Sequence, residues 1–260
     1  MPIRVGVQVQ PQHADFDVMR RAWRDAEELG VDSIYTWDHF YPLAGDPDGK
    51  HWEGVVSLSA LAADTERARI GALVFCNSYR NPQLLAEVHR AIDHLSGGRL
   101  IVGLGAGWFE RDYDEFGYEF GTAPERLRAL ARDLPLIRER LAKGNPAPIG
   151  PVPILIGGRG ERVTLKLVAQ HAQMWHAFVD DLDDYRHKVE VLAEHCARCG
   201  RDPATIEHVI GQLEDPLGLA DALADAGVAE LTIRTSGPGY DLGELREAIQ
   251  WRDRYNAQQR

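Results

Sequence analysis

An aspartate and a histidine stand side by side in the stretch Trp37-Asp38-His39-Phe40. A carboxylate can hold a polar ligand, and a free imidazole, with an ordinary pKa of about 6.5, can exchange a proton at neutral pH. The stretch follows a short apolar run, residues 33–36, that is typical of a buried strand. The pair therefore predicts a site that binds a polar ligand and moves a proton. A cap on the following turn for Asp38, and a structural role for His39, are the alternatives.

Two glycine-rich segments follow other apolar runs. Residues 157–160, Gly-Gly-Arg-Gly, join a predicted strand to a predicted helix, where unpaired N–H groups and the helix dipole favour an anion. Residues 103–107 have Gly-x-Gly-x-Gly spacing, which is weak evidence by itself. We predict a phosphate-binding turn at 157–160, with a plain tight turn as the alternative.

The chain has three cysteines, two of which form the sequence Cys196-Ala-Arg-Cys199. This spacing occurs in redox couples and zinc sites. There is no second such pair, however, and these two residues end an amphipathic helical pattern, residues 185–199, that Gly200 closes. We interpret them as helix-end residues, predict no metal site, and take the low cysteine count as typical of a reducing compartment.

Short apolar runs and amphipathic helical stretches alternate about eight times along the chain. The predicted strands are residues 3–10, 33–36, 70–75, 99–104, 154–156, 174–178, 206–210 and 230–235. The predicted helices include residues 15–29, 53–64, 123–141, 161–171, 185–199, 218–226 and 242–255, with another beginning at Asn81-Pro82. Eight such units predict a single (β/α)8 TIM barrel over residues 1–260. An open doubly wound sheet is the alternative, but polar and glycine residues follow several different strands rather than the first alone.

The overall charge and hydropathy exclude some classes of partner. Lys and Arg number 29 against 40 Asp and Glu, a net charge of −11, which argues against nucleic acid or an acidic membrane surface as a partner. No apolar run approaches the roughly 20 residues that a transmembrane helix needs. The N-terminus leads directly into a predicted strand without a signal-peptide pattern, so a cytoplasmic location is expected.

Four groups of residues resemble the luciferase-like monooxygenase superfamily over nearly the whole length of the chain. They are residues 28–33 followed by 38–40, residues 61–67 leading into 70–71, residues 93–100 with 103–108, and residues 200–203. The resemblance implies a (β/α)8 barrel whose mouth holds a flavin or deazaflavin ring. The Asp-His pair and the Gly-Ala-Gly-Trp turn look most like the members that use coenzyme F420, with FMN as the alternative. The insertion that the family carries after the fourth strand is short here.

The resemblance also implies roles for individual residues. Asp38 matches an aspartate that hydrogen-bonds the cofactor ring, and His39 matches a residue that contacts substrate. The third strand matches a place where F420-binding members carry a non-proline cis peptide, which we predict between Leu73 and Val74. Ser78, Tyr79 and Arg80 are possible second contributors to phosphate binding. The residues expected to contact the cofactor are Asp38, Leu73, Val74, Cys76, Asn77, Gly105, Ala106, Gly107, Gly157, Gly158 and Arg159.

Trp108 stands where some family members have a catalytic acid. Glu53 and Glu110 are the candidates to replace that acid, with ordinary solvated loop positions as the alternative. Tyr41, Trp52 and Phe109 are expected to shape an apolar substrate pocket.

The resemblance implies an F420-dependent oxidoreductase that transfers a hydride between the deazaflavin and a small organic substrate, with reduction of an activated C=C, C=N or carbonyl group as the expected reaction. The alternatives are an FMN-dependent monooxygenase of luciferase type and a flavin- or deazaflavin-binding protein without catalysis. A homodimer is expected, because the family commonly forms dimers.

Overall fold

The computed structural model describes residues 2–211 and 213–259 of the chain. Its strands are β1 (Arg4–Gln10), β2 (Ser33–Thr36), β3 (Arg69–Ala72), β4 (Phe75–Cys76), β5 (Leu100–Gly105), β6 (Ile154–Gly157), β7 (Met174–Ala177), β8 (Glu207–Gly211) and β9 (Glu230–Ser236). Its α-helices are α1 (Phe16–Glu28), α2 (Gly54–Asp64), α3 (Pro82–Ser96), α4 (Glu110–Phe116), α5 (Ala123–Ala142), α6 (Thr164–His171), α7 (Leu182–Cys199), α8 (Ala220–Asp225) and α9 (Gly243–Gln258), with 3-10 turns at Asn77–Tyr79 and Pro203–Thr205.

The strands form a closed parallel barrel. β1 pairs with both β2 and β9, and the ring closes because β3 pairs with β5. Helices lie between consecutive barrel strands, so the predicted (β/α)8 fold is confirmed. The short helix α4 lies between the fourth barrel strand, β5, and α5, in agreement with the short insertion expected there.

The third barrel strand differs from the prediction. Residues 70–75 were expected as one strand, but the structure breaks the strand after Ala72 and resumes pairing at Phe75, where the short strand β4 continues along β5. Between them the peptide bond from Leu73 to Val74 is cis, as predicted. At the break, the N–H of Leu73 still donates to the carbonyl of Thr36 on β2 (2.9 Å), whereas the carbonyl of Leu73 accepts from the side chain of Gln8 instead of a neighbouring strand.

The helix ends follow local sequence signals. Asn81 accepts hydrogen bonds from the backbone N–H groups of Gln83 and Leu84, so α3 begins beside Pro82 as predicted, and Gly97 ends it with a left-handed conformation. Helix α6 begins at Thr164, three residues later than predicted, because residues 161–163 form a turn.

The interior of the barrel is filled below its mouth. One apolar layer consists of Tyr35, Leu73, Ile101, Leu155, Met174 and Val209. Beneath it, the fully buried carboxylate of Glu230 accepts hydrogen bonds from the hydroxyls of Tyr35 (2.7 Å) and Ser33 (2.8 Å) and lies 3.4 Å from the guanidinium of Arg4. These contacts fill the N-terminal end of the barrel.

Helix α7 ends at Gly200, whose left-handed conformation confirms the helix-end interpretation of the two cysteines. Cys196 is buried and Cys199 exposed, and both are free thiols. Over residues 2–211 and 213–259, no helix combines the length and apolar character needed to cross a bilayer. The same part of the chain has no cluster of three metal-ligating side chains.

Candidate active site

His39 lies at the mouth of the barrel in a cup of aromatic rings. The rings of Trp37, Trp108 and Phe109 meet the imidazole edge-on, with centroids 5.6 to 5.9 Å away. The His39 side chain is 12% exposed. Its Nδ1 lies 2.7 Å from a carboxylate oxygen of Asp112, whereas its Nε2 has no hydrogen-bond partner among the described residues. One nitrogen of the ring is therefore held by the protein and the other is free for a ligand.

Asp112, on α4, anchors this part of the mouth. Its carboxylate is fully buried and also accepts hydrogen bonds from the backbone N–H groups of Phe40 and Tyr41 and from the hydroxyl of Tyr79. It thus binds the loop after β2 to the 3-10 turn after β4. Burial also raises the pKa of Tyr79 above its ordinary value, so this hydroxyl keeps its proton.

The carboxylate of Asp38 is bound by other groups of the protein. Both of its oxygens bind the guanidinium of Arg80, at 2.7 and 2.8 Å, and one also accepts from the N–H of Cys76 at 3.0 Å. Burial acts to lower the pKa of Arg80, but Asp38 and Glu53 outweigh that effect and raise it. Burial also raises the pKa of Asp38 against the opposing guanidinium, and the two-point contact favours the ionised pair. Direct binding of a cofactor by Asp38 therefore remains a prediction.

The two candidate acids differ in their surroundings. Glu53 receives a hydrogen bond from the N–H of Val56, which caps α2, and pairs with Arg80. Glu110, at the first turn of α4, is exposed and has no hydrogen-bond partner among the described residues. Of these two glutamates, only Glu110 has a carboxylate without a hydrogen-bond partner among the described residues. It lies two residues after Trp108, whose indole is exposed.

Val74 occupies the centre of the mouth because glycines surround it. A Cβ atom on Gly105 would come within 2.5 Å of Val74 Cγ2, and one on Gly157 within 2.9 Å of Val74 Cγ1. The Leu73 carbonyl beside it accepts a hydrogen bond from the buried amide of Gln8, at 3.0 Å. The third, fourth and fifth barrel strands thus form a closely packed floor with one apolar side chain on top.

His176 points inward from β7, beside this floor. It is 1% exposed, and among residues 2–211 and 213–259 neither ring nitrogen has a partner in hydrogen-bonding geometry, although the backbone of Val209 lies close. Burial lowers its pKa to about 4, so the ring is neutral at pH 7. A buried polar group without a partner costs stability.

The predicted phosphate turn lies between β6 and α6. The N–H of Gly158 donates to the carbonyl of His176 (3.2 Å), and the carbonyl of Gly160 accepts from Leu165 at the start of α6. Arg159 is exposed, and its guanidinium bonds Asp180 at 3.0 and 2.6 Å. An incoming phosphate would have to compete with this carboxylate for Arg159.

The remaining predicted residues lie around the fourth barrel strand. The thiol of Cys76 contacts the hydroxyl of Tyr113 at 3.1 Å, and burial raises its pKa to about 11. The amide of Asn77 donates to Asp133 on α5 (2.8 Å), away from the mouth. Ala106 and Gly107 are half-buried directly after β5, and the carbonyl of Gly107 accepts from Arg126.

A family model for the luciferase-like monooxygenases matches residues 1–214. The chain belongs to this family. The family expected from the sequence is thereby confirmed. Several relatives resemble the chain over different lengths. An uncharacterized protein from Mycobacterium bovis is 29% identical over 245 residues, which cover 81% of this chain and 84% of that protein. An F420-dependent glucose-6-phosphate dehydrogenase from Amycolatopsis mediterranei is 33% identical over 121 residues, 46% of this chain and only 36% of the dehydrogenase.

Solved structures of other proteins share the fold. The coenzyme F420-dependent tetrahydromethanopterin reductase from Methanopyrus kandleri has a TM-score of 0.73 and 14% identity, and covers 96% of this chain and 97% of its own. A monooxygenase from Streptomyces bottropensis has a TM-score of 0.70 and 14% identity over the same shares of both chains. At such low identity these likenesses establish the barrel alone.

Two residues of the site have contacts that sequence reasoning did not predict. Asp112 was not predicted as a site residue, although Glu110, two residues earlier in the chain, was predicted as a candidate acid. Arg80 was named as a contributor to phosphate binding, and in the structure its guanidinium binds Asp38. The position of Asp112 in the first turn of a short helix could have marked it as a candidate site residue. The sequence does not reveal, however, which of the acidic residues there faces inward.

Proposed function

We propose that this luciferase-like protein is an oxidoreductase that transfers a hydride between coenzyme F420 and a small organic substrate. The observation that carries the proposal is the free Nε2 of His39 at the mouth of a luciferase-like barrel. Relatives named as F420-dependent glucose-6-phosphate dehydrogenases support the choice of cofactor.

The residues at the mouth fit a flat ring with polar edges. The floor at Gly105 and Gly157 brings the methyl groups of Val74 to the surface, which suits contact with the face of a ring. The nitrogens of His176 would form a hydrogen bond to a polar ring edge once the side chains that cover them move. In this proposal Val74 and His176 hold the ring, and residues 157–159 lie toward its phosphate. When bound, F420 supplies the carbon that gives or takes a hydride.

The side chains of the protein supply the proton and the surroundings. His39 holds or moves a proton at Nε2, and an imidazole is suited to this task at neutral pH. Trp37, Trp108 and Phe109 pack around the ring of His39 and leave 12% of its side chain exposed. Glu110 remains the second candidate for proton transfer, whereas Glu53 and Asp38 stabilise the frame through Arg80.

An FMN-dependent monooxygenase is the second candidate, because the family is described by that activity and a monooxygenase has a similar fold. The deciding experiment is titration of the purified protein with F420 and, separately, FMN, followed by ring fluorescence. We expect micromolar binding of F420. Binding of FMN with none of F420 would refute the proposal.

Turnover separates an enzyme from a binding protein. We expect reduced F420 to be oxidised by at least one of an enone, an imine and a ketone, and His39→Ala to slow this while F420 still binds. Tight binding of F420 without any turnover would support a binding protein that lacks catalysis.

Assembly remains a prediction. We expect a homodimer, which sedimentation velocity would detect as twice the 29.0 kDa mass of the chain.

A further inference from the structure

We propose that Asp112 is a positioning residue that fixes the tautomer of His39, with the proton on Nδ1. The use of this tautomer in catalysis rests on the proposed function, but the tautomer itself is a property of the chain alone. The inference starts from the hydrogen bonds that converge on one buried carboxylate.

Three donors and one ring nitrogen of His39 surround the carboxylate of Asp112. Its Oδ1 accepts from the backbone N–H groups of Phe40 (3.1 Å) and Tyr41 (3.2 Å). Its Oδ2 accepts from the hydroxyl of Tyr79 (2.9 Å) and lies 2.7 Å from Nδ1 of His39. Because an ionised carboxylate only accepts hydrogen bonds, the contact with His39 requires a proton on Nδ1.

The carboxylate cannot turn to avoid this contact. Backbone N–H groups only donate, so the two from Phe40 and Tyr41 hold Oδ1 in place, and Asp112 is fully buried within α4. The aromatic cup of Trp37, Trp108 and Phe109 surrounds the imidazole from the other side. Ring and carboxylate are therefore both fixed in orientation.

The consequence is chemical. In the neutral ring, Nε2 carries the lone pair and is the only ring atom that can accept a proton from a ligand. In the charged ring, Nε2–H is the only proton that can be given to a ligand without breaking the contact with Asp112. A carboxylate that orients a catalytic imidazole in this way is a recurring device in enzymes of unrelated fold.

Asp112→Asn makes a sharp test, because the substitution keeps the shape and changes the hydrogen-bonding pattern. The two backbone donors select the amide oxygen for the Oδ1 position, so the amide nitrogen must take the place of Oδ2. Its N–H groups then face Nδ1 of His39, which can accept them only in the opposite tautomer. We expect the proton to move from Nδ1 to Nε2.

The measurement is long-range proton–nitrogen NMR on protein labelled with 15N-histidine, at pH 8 and without cofactor. His39→Gln identifies the His39 signals among the ten histidines. The wild-type protein should show Nε2 as the unprotonated nitrogen, and Asp112→Asn should reverse the assignment. Tyr79→Phe is the matched control, because it removes another donor to Oδ2 and should leave the tautomer unchanged.

A wild-type His39 with its proton on Nε2 would overturn the inference, and so would an Asp112→Asn protein with an unchanged tautomer. If Asp112→Asn does not fold, the wild-type spectrum still decides. The titration with F420 is independent of this result: loss of F420 binding with the tautomer as expected would remove the proposed function and keep the inference.

Discussion

Arg80 binds both carboxylate oxygens of Asp38, at 2.7 and 2.8 Å, and so joins the loop after β2 to the start of α3. Asp38 is 1% exposed, and the Arg80 side chain is 14% exposed. Because both groups are largely removed from water, the loss of either partner leaves a charge without compensation. His39 follows Asp38 directly, so this ion pair supports the residue expected to act in catalysis.

Asp38→Asn should therefore lower the free energy of unfolding by roughly 3 kcal/mol, measured by urea denaturation. The matched control is Glu194→Gln, which breaks the exposed i,i+4 pair with Arg198 and should cost well under about 1 kcal/mol. Equal effects of the two substitutions would contradict the structural role of the buried pair.

Gly105→Ala should destabilise the protein by about 1 to 3 kcal/mol, because the new Cβ would lie 2.5 Å from Val74 Cγ2. Val74→Ala in the same protein should recover part of the loss, since the contact disappears. A double-mutant cycle measures this coupling. Gly239→Ala, where a Cβ meets nothing within 4 Å, is the control and should have little effect. Additive losses for Gly105→Ala and Val74→Ala would contradict the packing described.

His176→Phe should move stability and ligand binding in opposite directions. The phenyl ring removes two buried nitrogens without partners, so the protein without cofactor should be as stable as the wild type or more so. Binding of F420 should weaken, because the polar contact proposed for the ring edge is lost. Thermal denaturation and fluorescence titration measure the two effects, and a variant that binds F420 with wild-type affinity would exclude His176 from the site.

Buried histidines should make the fold sensitive to mild acid. Burial lowers the pKa values of His89 and His176 to about 4, against about 6.5 in the unfolded chain. Between those values the unfolded state binds more protons than the folded state, so the free energy of unfolding increases with pH. The stability that these histidines contribute is therefore lost as the pH falls from about 6.5 to 4. Each histidine contributes at most about 1.4 kcal/mol per pH unit.

Urea denaturation at pH 7.5, 6 and 5 measures this slope. His176→Phe should reduce this slope by the contribution of one histidine, because His89 remains in place. A free energy of unfolding that stays constant or increases toward pH 5 would be incompatible with neutral, buried imidazoles at these positions.

The sequence predicted the elements of the barrel well, because each repeat carries its own local signals. Asn81-Pro82 marks the start of α3 and Gly200 the end of α7, and both positions agree with the structure. The break between β3 and β4 was different: apolar residues continue through 73 and 74, so periodicity alone predicted one strand. Only the resemblance to the family predicted the cis peptide there.

Partnerships across the chain were harder to predict. His39 and Asp112 are separated by 73 residues, and Asp112 reaches the imidazole only because α4 turns one of its acidic residues inward. Likewise Arg80 has the charge to bind a phosphate, but in the structure its guanidinium binds the buried carboxylate of Asp38. Residue type indicates what a side chain can bind, whereas packing decides which partner it meets.

The closed N-terminal end of the barrel, built around Glu230, has a kinetic consequence. With the interior filled by Tyr35 and its neighbours, the mouth serves as both entrance and exit. A ring seated on Val74 would lie beneath any molecule that reaches His39 from the same opening. We therefore expect an ordered sequence, in which the cofactor enters first and leaves last, and the rate of product departure limits how soon the cofactor can be exchanged.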